Sequence, residues 1–202
     1  MSANNFNRVA FLYDALVRLV FGNSMLRAQT FLLDKIKDDA AILIIGGGTG
    51  WILKALKPNC EVWYIDSSSK MIEKARKQDA ICKVHFIAGT ESDIPDRTFD
   101  VVITNFYFDL FTTTKVDAVI KKIKTVIEPD GHWIVTDFVD KAWWQRIMLN
   151  LMYLFFSVTC NIESKKLPAW IESFDQNGFS VIESKTFYGG FIKTGLWHSK
   201  FI

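Results

Sequence analysis

The chain has 202 residues, of which 50% are hydrophobic and 23% are charged, a composition that excludes a disordered protein and suits one sizeable core. Its 24 basic and 22 acidic residues are spread along the sequence and give a formal net charge of +2, so a nucleic-acid partner is not indicated. Cys60, Cys82 and Cys160 lie far apart among apolar neighbours, and the N-terminus lacks a signal-peptide pattern. These features favour a cytoplasmic protein with reduced thiols and neither disulfides nor a metal site.

The first half of the chain predicts two helices followed by alternating strands and helices. Apolar residues recur at helical spacing over 6–20, and Ser24 can cap a second helix that runs to about Lys37. The run Ala40 to Ile45 is wholly apolar, as is typical of a central parallel strand. The predicted elements that follow are a helix over 49–56, strand 61–65, helix 68–78, strand 83–88, strand 99–104, helix 115–127, a turn at 128–131 and strand 132–138. Such alternation predicts a doubly wound parallel sheet.

The end of the chain breaks this alternation. Two β-rich runs, 179–187 and 191–201, are separated by little more than Tyr188-Gly189-Gly190, and a connection this short permits only an antiparallel hairpin. The sequence therefore predicts an α/β fold with a mostly parallel sheet and one reversed strand. We expect a single domain over 1–202, with a helical cap over 1–38 and an α/β core over 39–202.

An apolar run over 147–160 follows Trp143, Trp144 and Arg146. It is too short to cross a membrane and is interrupted by Asn150 and Ser157. Three interpretations stay open for 143–160. These are packing against the sheet, a lid over a hydrophobic substrate, and contact with a membrane surface, which tryptophan and arginine beside an apolar helix would suit.

The first strand runs into Gly46-Gly47-Gly48-Thr49-Gly50, a G-x-G-x-G loop that lets the backbone turn sharply and approach a ligand. Trp51 stands where a dinucleotide-binding loop requires a small residue, which argues against a nicotinamide cofactor. The second strand ends at Asp66, 20 residues after Gly46, where a carboxylate can accept both hydroxyls of a ribose. The alternative is a tight turn with Asp66 as a helix cap.

Other polar residues follow the remaining predicted strands. Thr90 and Glu91 come after the third strand, where they are candidates for an adenine contact or for plain loop solvation. Asn105 ends the fourth strand and Asp137 lies near the end of the fifth. Because ligands of open α/β sheets bind beyond the carboxyl ends of the strands, we expect these residues to border one crevice.

Four segments in order, ILIIGGGTGWIL, VWYIDSSSKMIEKAR, HFIAGTESDIPDRTFDVVITNF and IEPDGHWIVTDF, resemble the successive motifs of class I S-adenosylmethionine-dependent methyltransferases. The N-terminal FNRVAFLYDALVRLVFG is similar to the opening of the quinone-biosynthesis C-methyltransferases and their small-molecule relatives. The resemblance covers 40–140 and implies a seven-stranded, Rossmann-like fold with a reversed last strand. It also implies S-adenosyl-L-methionine as the cofactor and methyl transfer as the activity.

The resemblance assigns cofactor roles to individual positions. It implies that the loop glycines wrap the methionine part, that Asp66 holds the ribose, and that Met71 or its neighbours pack on the adenine. It places the backbone near Asn105 at the methionine end. With Thr90 and Glu91 from the strand-end argument above, the expected cofactor-binding set is Gly46, Gly48, Gly50, Asp66, Met71, Thr90, Glu91 and Asn105. Two positions depart from the family pattern, because Ile44 and Thr90 stand where acidic residues are common.

Methyl transfer needs aligned reactants more than a catalytic triad, and the sequence contains no such triad. The candidates for a general base are Tyr107, Asp109 and Asp137, each of which has a structural or substrate-lining role as its alternative. Aromatic residues over 105–111 and 143–156 predict a crevice for a small hydrophobic or aromatic acceptor. Phe6 and Tyr13 are candidates to close the opposite side, or to belong to the core.

Two other functions stay open at this stage. One is a non-catalytic protein of the same fold that binds S-adenosylmethionine or a partner, because this fold uses few diagnostic catalytic side chains. The other is a nicotinamide-dependent oxidoreductase, against which Trp51 and the reversed last strand both argue. Nothing in the sequence indicates the oligomeric state or the acceptor atom.

Overall fold

A computed structural model describes residues 10–160 and 166–200, with side chains described over 15–157 and 166–200. Phe6 therefore lies outside the described residues, as does the side chain of Tyr13. Seven strands make up the described sheet: β1 Ala41–Ile45, β2 Glu61–Asp66, β3 Lys83–Ala88, β4 Phe99–Asn105, β5 Ile127–Phe138, β6 Phe179–Phe187 and β7 Ile192–Ser199.

The strands form one sheet in the order β3-β2-β1-β4-β5-β7-β6. β1 pairs in parallel with β2 and β4, and the parallel pairing continues to β3 on one side and β5 on the other. β7 is antiparallel to both β5 and β6. This confirms the predicted doubly wound, mostly parallel sheet with a reversed strand from the C-terminal hairpin.

Six α-helices accompany the sheet within the described residues: α1 Ala10–Phe21, α2 Ser24–Thr30, α3 Ser69–Ala75, α4 Thr113–Lys124, α5 Trp143–Cys160 and α6 Trp170–Gln176. Side chains on one face of the sheet pack around Trp133, Phe174 and Trp197, and those on the other face around Ile42, Val62 and Tyr64. A third cluster lies beyond the carboxyl ends of β4 and β5, where α1, α2 and α5 meet.

Two helical predictions were wrong in detail, and one helix was not predicted. The segment after the glycine loop is a 3-10 helix over Trp51–Ala55, shorter than the helix predicted over 49–56. It ends before Pro58, which disfavours helical backbone at the residue that precedes it. The second helix ends at Thr30, and a separate 3-10 turn occupies Leu33–Lys35. The short helix α6 was not predicted.

The predicted turn Glu128-Pro129-Asp130-Gly131 lies inside β5 instead of before it. The pairing with β4 passes from Phe99–Ile127 directly to Val101–His132, so the four residues form an irregular excursion within one long strand. Proline is compatible with such a position because it needs no ladder hydrogen bond there. The strand therefore begins five residues before the predicted start at His132.

Candidate functional site

The loop after β1 is held by glycine conformations and by one aromatic ring. Gly46 and Gly48 have φ of 66° and 65°, which side-chain-bearing residues rarely adopt. A Cβ on Gly47 would lie 2.1 Å from Cζ of Tyr64, so this ring packs directly against the loop. A Cβ on Gly48 would meet nothing within 4 Å, because that residue faces open space. The loop therefore presents its backbone to a ligand.

Asp66, at the end of β2, ties this loop to the start of α3. Its Oδ2 accepts a hydrogen bond from the Gly48 amide at 2.8 Å, and its Oδ1 accepts one from the Ser68 amide at 2.8 Å. Burial raises the pKa of Asp66, and the two amides oppose that rise. The carboxylate borders the cavity described below with lone pairs still available, since each oxygen can accept more than one hydrogen bond.

Gly50 and Met71 occupy different surroundings. Gly50, with φ 84°, lies outside the cavity lining, and a Cβ there would be 2.8 Å from the Cα of Ala75 in α3. Its role in the structure is close packing of the loop on α3. Met71, on the first turn of α3, is buried and lines the cavity.

The polar side chains after β3 are already engaged in contacts within the protein. Thr90 caps a 3-10 turn over Glu91–Asp93, in which Asp93 accepts from the Thr90 amide at 2.8 Å. The buried Glu91 carboxylate accepts from Tyr107 Oη at 3.2 Å and pairs with Lys115 of α4. Burial raises the pKa of Glu91, but Lys115, a main-chain amide and the Tyr107 hydroxyl together lower it, and the net pKa lies below its usual range. Both oxygens of Glu91 thus already have partners.

The chain turns sharply where β4 ends. Phe106 has φ 51°, an uncommon conformation for a non-glycine residue, and its amide donates to the Thr136 carbonyl of β5 at 2.7 Å. The ring of Tyr107 lies against the glycine loop, where a Cβ on Gly46 would be 2.5 Å from its Cδ2. Burial and the nearby Glu91 raise the pKa of Tyr107 well above its usual value, so its phenol keeps its proton and suits a structural role better than that of a base.

Asp137 of β5 is fully buried and holds this turn. Its Oδ2 accepts from the amides of Tyr107 at 3.2 Å and Phe108 at 2.8 Å, and its Oδ1 accepts from the Phe138 amide at 2.8 Å. Asp137 does not line the cavity, whereas Asp109, on the turn that it holds, does. Of the three candidate bases, Asp109 combines a place in the cavity wall with an unpaired oxygen.

One cavity of about 1060 Å³ connects these strand ends. The polar residues of the glycine loop, Asp66, Thr90, Glu91, Asn105 and Asp109 lie on one side. Apolar residues from α1, α2, α5, the end of β5 and the segment after β4 form much of the remaining wall: Leu16, Val17, Val20, Phe21, Met25, Phe106, Leu110, Phe111, Phe138, Met148, Leu151, Met152, Phe155 and Phe156. The volume and lining suit a ligand pair with one polar and one apolar member.

Several residues of the cavity wall were not predicted from the sequence. Met25 and Phe21 lie on the first two helices, and Lys115 lies on α4, yet all three line the same cavity as the glycine loop. Their apolar or basic character is common on any amphipathic helix, so no local signal distinguishes them. Only the packing of α1, α2 and α5 across the strand ends brings them together.

Neither a metal site nor a membrane span is found in the described part of the chain. No group of three or more His, Cys, Asp or Glu side chains there could hold a metal ion. None of the described helices has the length and apolar character that a membrane crossing requires.

A doubly wound sheet with a reversed seventh strand, a glycine-rich loop after β1 and a carboxylate at the end of β2 define the fold of class I methyltransferases. Residues 42–131 match the family described as "Methyltransferase domain". Over these residues, which include the glycine loop and Asp66, the chain is similar to this family of methyltransferases.

Named relatives agree with this assignment. The demethylmenaquinone methyltransferase of Thermotoga maritima is 30% identical over 141 residues, covering 66% of this chain and 60% of the relative. A ubiquinone/menaquinone biosynthesis C-methyltransferase of Cupriavidus metallidurans is 28% identical over 151 residues, covering 70% and 61%. The chain therefore spans about three fifths of the length of these relatives.

Solved structures show the same fold at lower identity. The magnesium protoporphyrin IX methyltransferase of Synechocystis, solved with bound SAH, is 14% identical with a TM-score of 0.69, and the match covers 96% of both chains. The mitomycin 7-O-methyltransferase is 17% identical with a TM-score of 0.68, covering 96% of this chain and 60% of that one. At these identities the likeness concerns the fold.

Proposed function

We propose that the protein transfers a methyl group from S-adenosyl-L-methionine to a small apolar or aromatic acceptor. The observation that carries this proposal is the single cavity that runs from the glycine loop and Asp66 to an apolar wall built by α1, α2 and α5. A charged nucleoside cofactor suits the first part of this cavity, and a hydrophobic acceptor suits the second.

The residues present fit the cofactor. The open space at Gly48 admits a ligand against the loop backbone, and Asp66 offers carboxylate oxygens for ribose hydroxyls. The buried Oδ1 of Asn105 has no hydrogen-bond partner and suits the ammonium group of a bound amino acid. Met71 supplies an apolar contact for a base. Ile44 is fully buried in the sheet and Thr90 is a local cap, so neither replaces the acidic residue common at its position.

When bound, S-adenosylmethionine supplies a methyl group on a sulfonium, which leaves as a neutral thioether. The chain's own residues have to hold the acceptor in line with that methyl group and keep water out. The apolar wall excludes water, and the turn held by Asp137 fixes the side chains that border both parts of the cavity. No proton-transfer step is required for this positioning role.

The names of the relatives support an apolar acceptor. One relative is named for demethylmenaquinone and another for ubiquinone/menaquinone biosynthesis, and the quinones in these names are ring compounds. The aromatic and thioether side chains along the wall, among them Phe111, Phe155 and Met152, suit such a ring by shape and by apolar contact.

Helix α5 also presents an apolar face to the outside. Trp143, Ile147, Leu151 and Leu154 follow one another at helical spacing and are 74%, 52%, 62% and 63% exposed. Leu151 lines the cavity as well, so this exposed face is continuous with the cavity wall. An acceptor delivered from a lipid surface would meet α5 first.

The test is calorimetric titration of the purified chain with S-adenosylmethionine, S-adenosylhomocysteine and NAD, followed by an acceptor screen of hydrophobic aromatics with labelled methyl donor. Saturable binding of the first two ligands and transfer of label support the proposal. Binding without transfer to any acceptor favours a non-catalytic cofactor-binding protein. Binding of NAD alone would overturn the cofactor assignment.

A further inference from the structure

Two residues that line the cavity each have a buried side-chain oxygen without a hydrogen-bond partner. Among the described residues, four buried side-chain atoms lack one, and two of these are Oδ1 of Asn105 and Oδ1 of Asp109. Both residues line the cavity and lie four positions apart on the segment that leaves β4. A buried polar atom without a partner is costly, so such an atom in a cavity wall indicates a ligand group that completes it.

The neighbourhood of Asp109 fixes its position. The residue lies in a 3-10 turn over Phe108–Leu110, and the Phe108 amide at the start of that turn donates to Asp137 at 2.8 Å. Tyr153 of α5 donates its hydroxyl to the main-chain carbonyl of Asp109 at 3.3 Å. The backbone is thus held from β5 and from α5, while the side chain is only 5% exposed.

Asp109 and Asp137 form a buried carboxyl pair with unequal surroundings. Burial raises the pKa of Asp109 well above its usual range, and the charge of Asp137 raises it further. Burial also raises the pKa of Asp137, but main-chain amides at both of its oxygens stabilise its charged form. The proton of the pair therefore resides on Asp109, which becomes both a donor and an acceptor.

We propose that Asp109 is the polar anchor of the acceptor pocket and that it binds a hydroxyl group on an otherwise apolar, aromatic molecule. The inference rests on the proposed function for the identity of that molecule as a methyl acceptor. A hydroxyl group both donates and accepts, as a neutral carboxyl group does. An ammonium group only donates, and a carboxylate would be repelled by Asp137.

The experiment measures the binding of matched probes by equilibrium dialysis, with the full chain saturated with S-adenosylhomocysteine and again without it. The probes are 2-naphthol, naphthalene and 2-naphthylmethylamine. We expect 2-naphthol to bind about tenfold more tightly than naphthalene, because its hydroxyl group satisfies a buried partner. In Asp109→Leu the two should bind equally. Asp79→Leu, the same change at a residue that is 94% exposed and outside the cavity lining, should keep the preference.

Thermal unfolding provides the folding control. Because leucine replaces an unpaired polar group with an apolar one of similar shape, Asp109→Leu should be at least as stable as the wild type. The native state holds the Asp109 proton more tightly than the unfolded chain, so the wild type loses stability as the pH rises above the usual carboxyl pKa, and Asp109→Leu should lose less.

Four results would overturn the anchor role: equal binding of 2-naphthol and naphthalene, no binding of either, an unchanged preference in Asp109→Leu, or tighter binding of 2-naphthylmethylamine than of 2-naphthol. If the hydroxyl preference holds while S-adenosylhomocysteine does not bind, the proposed function fails and the anchor stands.

Discussion

The two parts of the cavity are built in different ways. The part beyond β1 and β2 consists of backbone, with glycine conformations at Gly46 and Gly48 and one carboxylate at Asp66. The part beyond β4 and β5 consists of side chains that arrive from α1, α2 and α5. The first depends on a few φ angles and close contacts, and the second on how separate helices pack. Small changes should therefore be costly in the first part and tolerated in the second.

The strongest test of this contrast is Gly47→Ala. The new Cβ would lie 2.1 Å from the Tyr64 ring, and overpacking of this kind should reduce the free energy of unfolding by about 3 kcal/mol. Denaturant titration measures the loss. In Gly48→Ala the methyl group meets nothing, so only the positive φ is penalised, by about 1 kcal/mol. Equal losses in the two variants would argue against the packing explanation.

A second test removes the carboxylate of the part beyond β1 and β2, the backbone-built part of the cavity. Asp66→Ala should weaken binding of S-adenosylmethionine by about 2 kcal/mol, because buried hydrogen bonds to the ligand and to the loop are both lost. Calorimetry measures the affinity. Asp100 gives a matched control, since its Oδ2 accepts from the Ala41 amide at 2.8 Å away from the cavity. Unchanged affinity in folded Asp66→Ala would refute the ribose assignment.

The third test concerns the exposed face of α5. The double change Ile147→Ser and Leu154→Ser should lower binding to vesicles of mixed neutral and anionic phospholipids by about tenfold, because apolar area is lost from a surface contact. Vesicle sedimentation measures the fraction of protein that is bound.

Ile81→Ser with Ile182→Ser removes comparable exposed side chains elsewhere and should leave vesicle binding unchanged. If both pairs behave alike, or if the wild type does not sediment with vesicles, α5 has no role at a lipid surface.

The smallest effect is expected at two helix caps, which lie at the start of α3 and at the start of α4. Ser68 accepts from the Met71 amide at 3.2 Å, and Thr112 accepts from the Lys115 amide at 3.4 Å. Replacement of either by alanine should cost about 1 kcal/mol of stability, measured by denaturant titration. Cofactor affinity should stay near the wild-type value in both variants, because Asp66 is held by main-chain amides, which these changes leave in place. A large loss of cofactor affinity in Ser68→Ala would instead show that the Ser68 hydroxyl contributes to binding.

The backbone-built part was largely predictable from sequence. A five-residue segment with four glycines follows an apolar run, and Asp66 ends the next strand. Few backbone structures are compatible with this local pattern. The sheet was predictable for a similar reason, because fully buried parallel strands such as Ala41–Ile45 form continuous apolar runs. The predicted cofactor roles of the glycines, Asp66, Met71 and Asn105 stay predictions that the binding experiments address.

The side-chain-built part was not predictable in the same way. Val17 and Met25 look like ordinary helix residues, and only their packing across the strand ends makes them wall residues. Leu151 differs, because it belongs to the segment 143–156 that the sequence placed at the crevice, and it does line the cavity. The partners of Glu91 were equally hidden, since Tyr107 and Lys115 reach it from two other elements. Asp137 was identified as a polar residue at a strand end, but its hydrogen bonds to the main chain of the next turn have no sequence signature.

Two hydrogen bonds join segments from opposite ends of the described chain. Tyr188 donates its hydroxyl to the Val20 carbonyl at 2.9 Å, and Thr194 donates to the Ala28 carbonyl at 2.9 Å, across 168 and 166 positions. During synthesis, α1 and α2 therefore emerge long before the hairpin that receives them. Because such long-range closure is slow, we expect α1 and α2 to pack into place only after the hairpin has been synthesised, and the cavity to be completed at that late step.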